Sequence, residues 1–428
     1  MFSANRRRAR VTVVTAGHLS TCPRMVKAAD ALHAAGFAVR VVSASHTPWA
    51  AAADRQMRST RSWPWTSVDI KRESARARQV ATGIRQRAAA SAAQLIGPRS
   101  APLPLAARAF SRVHDELVRA ILAEPADLIY AGTTGALAAA ADAADRRGVP
   151  YALDLEDFHS GEHAGGDAAP LNALAERIER AVLKNAEFLT AGSPMIADAY
   201  SAKYGVKPTP VHNTFSRDFA TLDAPACDRP LRLYWFSQTI GAGRGLESVV
   251  QALGLSGVRA ELHLRGRAIA AAVEGLLALQ RSAAPHATIV VHEPASPDDM
   301  VGLAGAYDVG LSCEESTIPN HRLCLANKIF TCLAAGVPIV LSGTPAQRAL
   351  AADLGPAAFV YDVEAPETLA ARLRIWAENP GVLREARAAA RAAADRRWHW
   401  EHPEDRGALL ILVSSVFGAP AVARRAVS

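Results

Sequence analysis

Along most of this chain, short runs of apolar and β-branched residues alternate with longer stretches whose apolar positions recur every three to four residues, which predicts strands and helices in turn. VTVVTA (11–16) is followed by a loop and by PRMVKAADALHAAG, where Pro23 suits a first helical turn and Gly36 a C-cap. AVRVVS (38–43) comes next, and LIYA (128–131), YALDL (151–155) and EFLTA (187–191) follow, separated by Ala-rich helical stretches. Such alternation marks a parallel sheet covered by helices on both faces. The region from about 47 to 112 breaks the rhythm, being rich in Arg, Ala, Ser and Gln with Trp63 and Trp65. It reads as an insertion, part helix and part loop, of the sort that shapes an acceptor site; a poorly ordered surface excursion is the other reading.

NTFSRDFATLDAPACDRP (213–230) is polar and interrupts the pattern, so the domain boundary is placed here. The alternation then restarts with LRLYWF (231–236), AELHL (260–264), TIVVH (288–292), DVGLS (308–312), PIVLS (338–342) and AFVY (358–361). Helices fill 366 to 394, and ALLILVSSVFGA near the end carries an apolar face. The expected fold is therefore α/β, with two Rossmann-like, doubly wound domains of similar size: 1–215, containing the insertion at 47–112, and 228–395, followed by a last helical segment at 396–428.

The 428 residues suffice for two domains of roughly 200 residues each. A formal charge of +7 makes the surface attractive to anions. Its basic residues gather at Arg6, Arg7, Arg8 and Arg10 and again from Arg55 to Arg112, which reads as a solvated basic face, with contact to an anionic membrane or lipid-linked acceptor as the second reading. Cys22, Cys227, Cys313, Cys324 and Cys332 are scattered without a CxxC pair, against a disulfide framework or zinc site. The apolar run after the basic opening is shorter than a signal-peptide core, and no stretch approaches the roughly 20 apolar residues of a membrane span. The expected location is cytoplasmic, with peripheral contact at the inner membrane face left open. No helix-turn-helix, zinc or aromatic-basic motif supports a nucleic-acid role.

Ligands in open α/β sheets sit beyond the carboxyl ends of the strands, and the unusual residues of this chain cluster there. Gly17 and His18 follow the first strand; Asp154, Glu156, Asp157, His159 and Glu162 crowd after YALDL. In the second block, SQTIGAGRGLESVV leads from a strand into a helix, so its amides and helix N-terminus favour an anion and Arg244 adds a cation. The loop is not GxGxxG, and Arg265 and Arg267 stand where a dinucleotide's ribose wants an acid, which favours a diphosphate over a nicotinamide or flavin; a plain flexible turn is the bland alternative. CEESTIPNHRLCLANKIFTCLAAGVPIVLSG (313–343) places Glu314 and Glu315 before Asn327 and Lys328 and an apolar helix. A ring of strand-end residues from both blocks implies a cleft between two facing sheets.

The segment from Asn327 to Val340 resembles the donor-binding stretch of GT-B glycosyltransferases of the family-4-like, retaining group, and the Arg244-Gly245 turn resembles their phosphate-binding turn. HLSTCPRMVKAADALHAAGFAVRVV resembles their first helix and second strand. The resemblance covers most of the chain, densest at 231–347. It implies a metal-independent glycosyltransferase without a cofactor, moving a sugar from a nucleotide-diphosphate sugar to a saccharide, lipid-linked or small-molecule acceptor in polysaccharide biosynthesis. It further implies donor contacts from Gly17, Gly243, Arg244, Arg265, Glu314, Glu315, Asn327, Lys328 and Thr331. Asp157, His159 and Glu162 would face the sugar, bind its hydroxyls or serve as a base toward the acceptor; a surface cap cluster is the alternative. The 396–428 segment would cross back to brace the first domain. The sequence departs from the family at Thr331, where a glutamate commonly holds the donor ribose, so Glu314 or Glu315 would take that role. Two rivals follow from this: a GT-B-shaped nucleotide-sugar epimerase, which needs no acceptor, and a non-catalytic partner in polysaccharide assembly.

Overall fold

The computed structural model describes residues 8–166, 169–216 and 229–418. The chain forms two compact units, one running to His212 and joined by residues from Pro403 onward, the other from Asn213 to His402.

The first unit is built on a seven-stranded, all-parallel sheet: β1 (Arg10–Thr15), β2 (Ala38–Ser45), β3 (Trp65–Asp69), β4 (Leu128–Gly132), β5 (Tyr151–Leu155), β6 (Leu189–Ala191) and β7 (Thr209–Pro210), in the order β3-β2-β1-β4-β5-β6-β7. The central strands are apolar on both faces because helices cover both, so Val11, Val13, Val14, Leu128 and Ile129 are all buried. The 47–112 region is largely regular structure. Its helix Pro48–Ser59 and β3 form a regular crossover, with Trp65 paired to Val41, and a 25-residue helix, Arg72–Ile96, follows. The segment WTSVD lies at the sheet edge and needs no apolar run, which is why its strand is invisible to patterning. The helix Ala408–Val416 packs in this unit against the helix Pro23–Ala34. The carboxylate of Asp405, fully buried, accepts from the backbone N–H of His212 at 2.7 Å.

The second unit has a six-stranded parallel sheet: β8 (Leu231–Ile240), β9 (Ala260–Ala268), β10 (Ala287–His292), β11 (Val309–Ser312), β12 (Ile339–Ser342) and β13 (Ala358–Tyr361), in the order β10-β9-β8-β11-β12-β13. Both sheets reverse their chain order at one point, between β1 and β4 and between β8 and β11. Strand connections depart there to opposite faces and leave a crevice beyond the strand ends, the usual place for a ligand in such sheets.

Candidate functional site

At the switch point of the second unit the loop after β8 and the loop after β11 interlock. Gly243 and Gly245 take φ of 70° and 68°, the left-handed region that glycine enters without strain. A Cβ on Gly245 would stand 1.9 Å from the Cys313 carbonyl oxygen, so only glycine fits. The Cys313 thiol donates to the Arg244 carbonyl at 3.2 Å, completing the lock. Gly243 meets nothing within 4 Å of an added Cβ and faces open space. The Arg244 side chain is half-buried and has no acidic partner among the described residues. The helix Leu246–Ser256 begins directly behind it, its first amides pointing toward the same turn.

Beside this turn lies a buried ion pair between Lys328 and Glu314. One oxygen of Glu314 meets Lys328; the other accepts from the Ser312 hydroxyl at 2.7 Å and from the Gln347 amide at 2.8 Å. Burial alone would push the Glu314 carboxyl up, but the charge and hydrogen bond of Lys328, with Ser312, hold it down at about 2. The Lys328 ammonium also lies 5.7 Å from the centre of the Trp235 ring. Asn327, at the first turn of the helix Asn327–Ala334, accepts from the side chain of Asn213. Arg265, at the end of β9, donates to the Tyr234 hydroxyl at 3.0 Å and the Glu293 carbonyl at 2.8 Å, both neutral, so its charge is not cancelled locally.

Two of the expected donor-site residues are engaged within the protein. Glu314 is buried, and both its oxygens accept hydrogen bonds within the protein, from Lys328, Ser312 and Gln347. Thr331 is fully buried and its hydroxyl donates to the Asn327 carbonyl at 3.0 Å. Glu315 is partly exposed, and its carboxylate has no partner among the described residues, which leaves it available to a ribose hydroxyl.

In the first unit the loop after β1 is held by His18. Its Nδ1 lies 2.7 Å from Asp54, and its Nε2 accepts from the backbone N–H groups of His46 and Thr47, both at 2.9 Å. Two N–H donors on Nε2 require the tautomer protonated at Nδ1, so His18 is a neutral structural clamp. Gly17 has room for a Cβ, whose nearest neighbour would be the Thr21 hydroxyl at 3.6 Å, and its carbonyl accepts from the Ala44 amide, so its own groups serve the loop. Across the switch point, Thr133 after β4 has a φ of 72°, the single non-glycine with positive φ among the described residues. Its hydroxyl accepts from the Ala16 amide at 3.2 Å. A β-branched residue there is strained, and such strain collects at functional sites.

The acidic loop after β5 divides into two layers. Asp154 belongs to the core: its carboxylate forms a two-pronged pair with the buried Arg24 guanidinium, with Nε at 2.8 Å, and accepts from the Thr190 hydroxyl at 2.5 Å. Glu156 is partly exposed yet set deep in protein, and burial followed by the neighbouring Asp157 charge pushes its carboxyl up to about 8. Gly192 permits this packing, since a Cβ there would fall 2.1 Å from the Glu156 carbonyl. His159 is 3% exposed and pairs through Nδ1 with Glu162. Its burial opposes charge, but Glu162, with the nearby Glu179 and Asp157, raises it to about 9. This pairing favours the imidazolium form, and the buried Nε2 has no partner among the described residues. Asp157 stands in the same loop, its carbonyl accepting from Tyr200 at 3.2 Å.

Sequence reasoning missed Glu179, Gln347, Asn213 and Thr133. Glu179 is fully buried, accepts from the phenols of Tyr200 and Tyr204, and lies on the helix Pro170–Val182 where it reads as an ordinary surface acid. A backbone outlier such as Thr133 leaves no mark in composition.

Comparison with known proteins gives the fold. HepE of Anabaena, solved in complex with UDP and glucose, matches with a TM-score of 0.66 at 13% identity over 96% of this chain and all of that one. Sucrose-phosphate synthase from Thermosynechococcus elongatus matches at 0.65 and 13% identity over 96% and 98% of the two chains. A Listeria monocytogenes protein described as a UDP-N-acetylglucosamine 2-epimerase matches at 0.61 and 13% identity over 96% and 97%. The fold is that of the GT-B glycosyltransferases. More narrowly, residues 21–213 match the glycosyl transferase 4-like domain. No curated protein matches the chain in sequence.

Proposed function

We propose that this protein transfers a sugar from a nucleoside-diphosphate sugar to a saccharide, lipid-linked or small-molecule hydroxyl acceptor, without a metal. One observation carries the reading: at the second unit's switch point, a glycine turn presents Arg244 and a helix N-terminus beside the fixed Lys328. A diphosphate matches that arrangement, since loop amides and Arg244 supply donors and charge, and Lys328, held by Glu314, keeps further N–H donors for phosphate oxygen. As the sugar–phosphate bond breaks, charge grows on the leaving diphosphate, and cations fixed beforehand stabilise it without reorganisation. Asn327 and Glu315 then fall to the sugar and ribose hydroxyls, and Arg265 to the outer phosphate.

The acceptor side is assigned to the loop after β5. His159, its Nε2 buried, holds this loop together with Glu162, and Asp157 accepts from a substrate hydroxyl. UDP is the first nucleotide to test, because HepE was solved with UDP and with UDP-glucose. Incubation with UDP-[14C]sugars and a lipid and glycan extract separates the rivals. The account expects label in the acceptor fraction with release of nucleoside diphosphate; conversion of donor alone into a new epimer would instead establish the epimerase.

A further inference from the structure

The helix Arg72–Ile96 is fastened to the first unit along one side only. Thr82, Ala89 and Ala93 are buried beneath it, and Gln86 donates to the Phe110 carbonyl at 3.3 Å. Its opposite side carries Val80, Ile84 and Leu95, exposed by 49%, 56% and 88%. Val80 and Ile84 are four residues apart and Leu95 lies about three turns further, so all three share one face. Ala77, Ala81 and Ala88, also exposed, fill the strip between them. This is an apolar stripe on an exposed helix, and among the described residues no element of the unit covers it.

Charge frames the stripe. Arg72, Arg76, Arg78, Arg85 and Arg87 are the helix's basic residues against a single acid, Glu73. Arg85 is paired to Glu116 and Arg78 donates to the Asp69 carbonyl, but Arg72, Arg76 and Arg87 have no acidic partner among the described residues. An apolar face flanked by unpaired arginines on a helix of about seven turns fits a surface that is apolar inside and anionic at its boundary. We infer that this helix docks the protein onto an anionic lipid bilayer, lying in the headgroup plane with Val80, Ile84 and Leu95 inserted and Arg76 and Arg87 on lipid phosphates. A soluble protein partner would need to offer a matching apolar groove with acidic rims, whereas a bilayer offers both features along any length. The inference does not depend on the donor reading and is measured separately from nucleotide binding.

The test is flotation of the full chain with vesicles of phosphatidylcholine alone or with phosphatidylglycerol added, at low and high salt. The wild type is expected to float with the anionic vesicles and not the neutral ones. The triple variant Val80→Ser, Ile84→Ser, Leu95→Ser and the double variant Arg76→Gln, Arg87→Gln are each expected to weaken partitioning at least tenfold. Arg281→Gln, an exposed arginine on the other unit, is expected to change nothing. All substituted side chains are exposed, and far-UV circular dichroism with nucleotide binding confirms that the fold survives. Failure of the wild type to float overturns the inference, as does full flotation of the apolar triple variant, which would reduce the effect to net charge. Concentration-dependent dimerisation abolished by the same variants, without flotation, would also overturn it by assigning the stripe to a second copy.

Discussion

Two buried charges, one in each unit, act in opposite directions with pH. His159 titrates at about 9 against its ordinary 6.5, so its pairing adds stability that is complete below about pH 6.5 and is lost as pH rises to 9. Wild type should therefore lose on the order of 2 kcal/mol more than His159→Gln between those limits, read from thermal unfolding of both at each pH. Equal slopes would mean that the ring is neutral. Glu314 runs the other way: held at about 2, it contributes stability above its ordinary 4.5 that fades as the pH falls to 2. Glu314→Gln leaves Lys328 buried without its counter-charge and should cost about 3 kcal/mol in urea unfolding at neutral pH. A loss under about 1 kcal/mol would show that solvent already screens the pair. Neither state was legible in the sequence, because burial and the pairing of Lys328 with Glu314 and of Glu162 with His159 depend on side-chain direction, which spacing does not give.

Among the elements, the apolar strands were legible because a parallel strand buried on both faces needs an apolar run. β3 was not, since an edge strand such as WTSVD carries no such run. The glycine turn was legible as a phosphate loop by its place between strand and helix, but its reason is local: Gly245 has a φ of 68° and its Cα abuts the Cys313 carbonyl. Gly245→Ala should destabilise the second unit by about 2 kcal/mol and weaken nucleotide binding with it, because the loop must part from Cys313. Gly243→Ala meets no neighbour and carries only the backbone strain, so it should cost less stability. Calorimetric unfolding of the two variants side by side checks the order; equal losses would mean that the contact with Cys313 does not matter.

For the molecule as a whole, the two doubly wound units follow from the repeated alternation of runs, and the family domain at 21–213 and the GT-B structures agree with it. The residue-level site agreed less, because side-chain direction is not written in periodicity: Glu314 and Thr331 turned inward, while Arg244 kept its charge uncancelled. The account therefore rests on Arg244 and the turn that carries it. Isothermal titration of UDP and a set of UDP-sugars into wild type and Arg244→Ala tests this most directly. A wild type that binds at least one of them, with Arg244→Ala weaker by tenfold or more, about 1.4 kcal/mol, is the predicted result. Equal binding by the two proteins would contradict it.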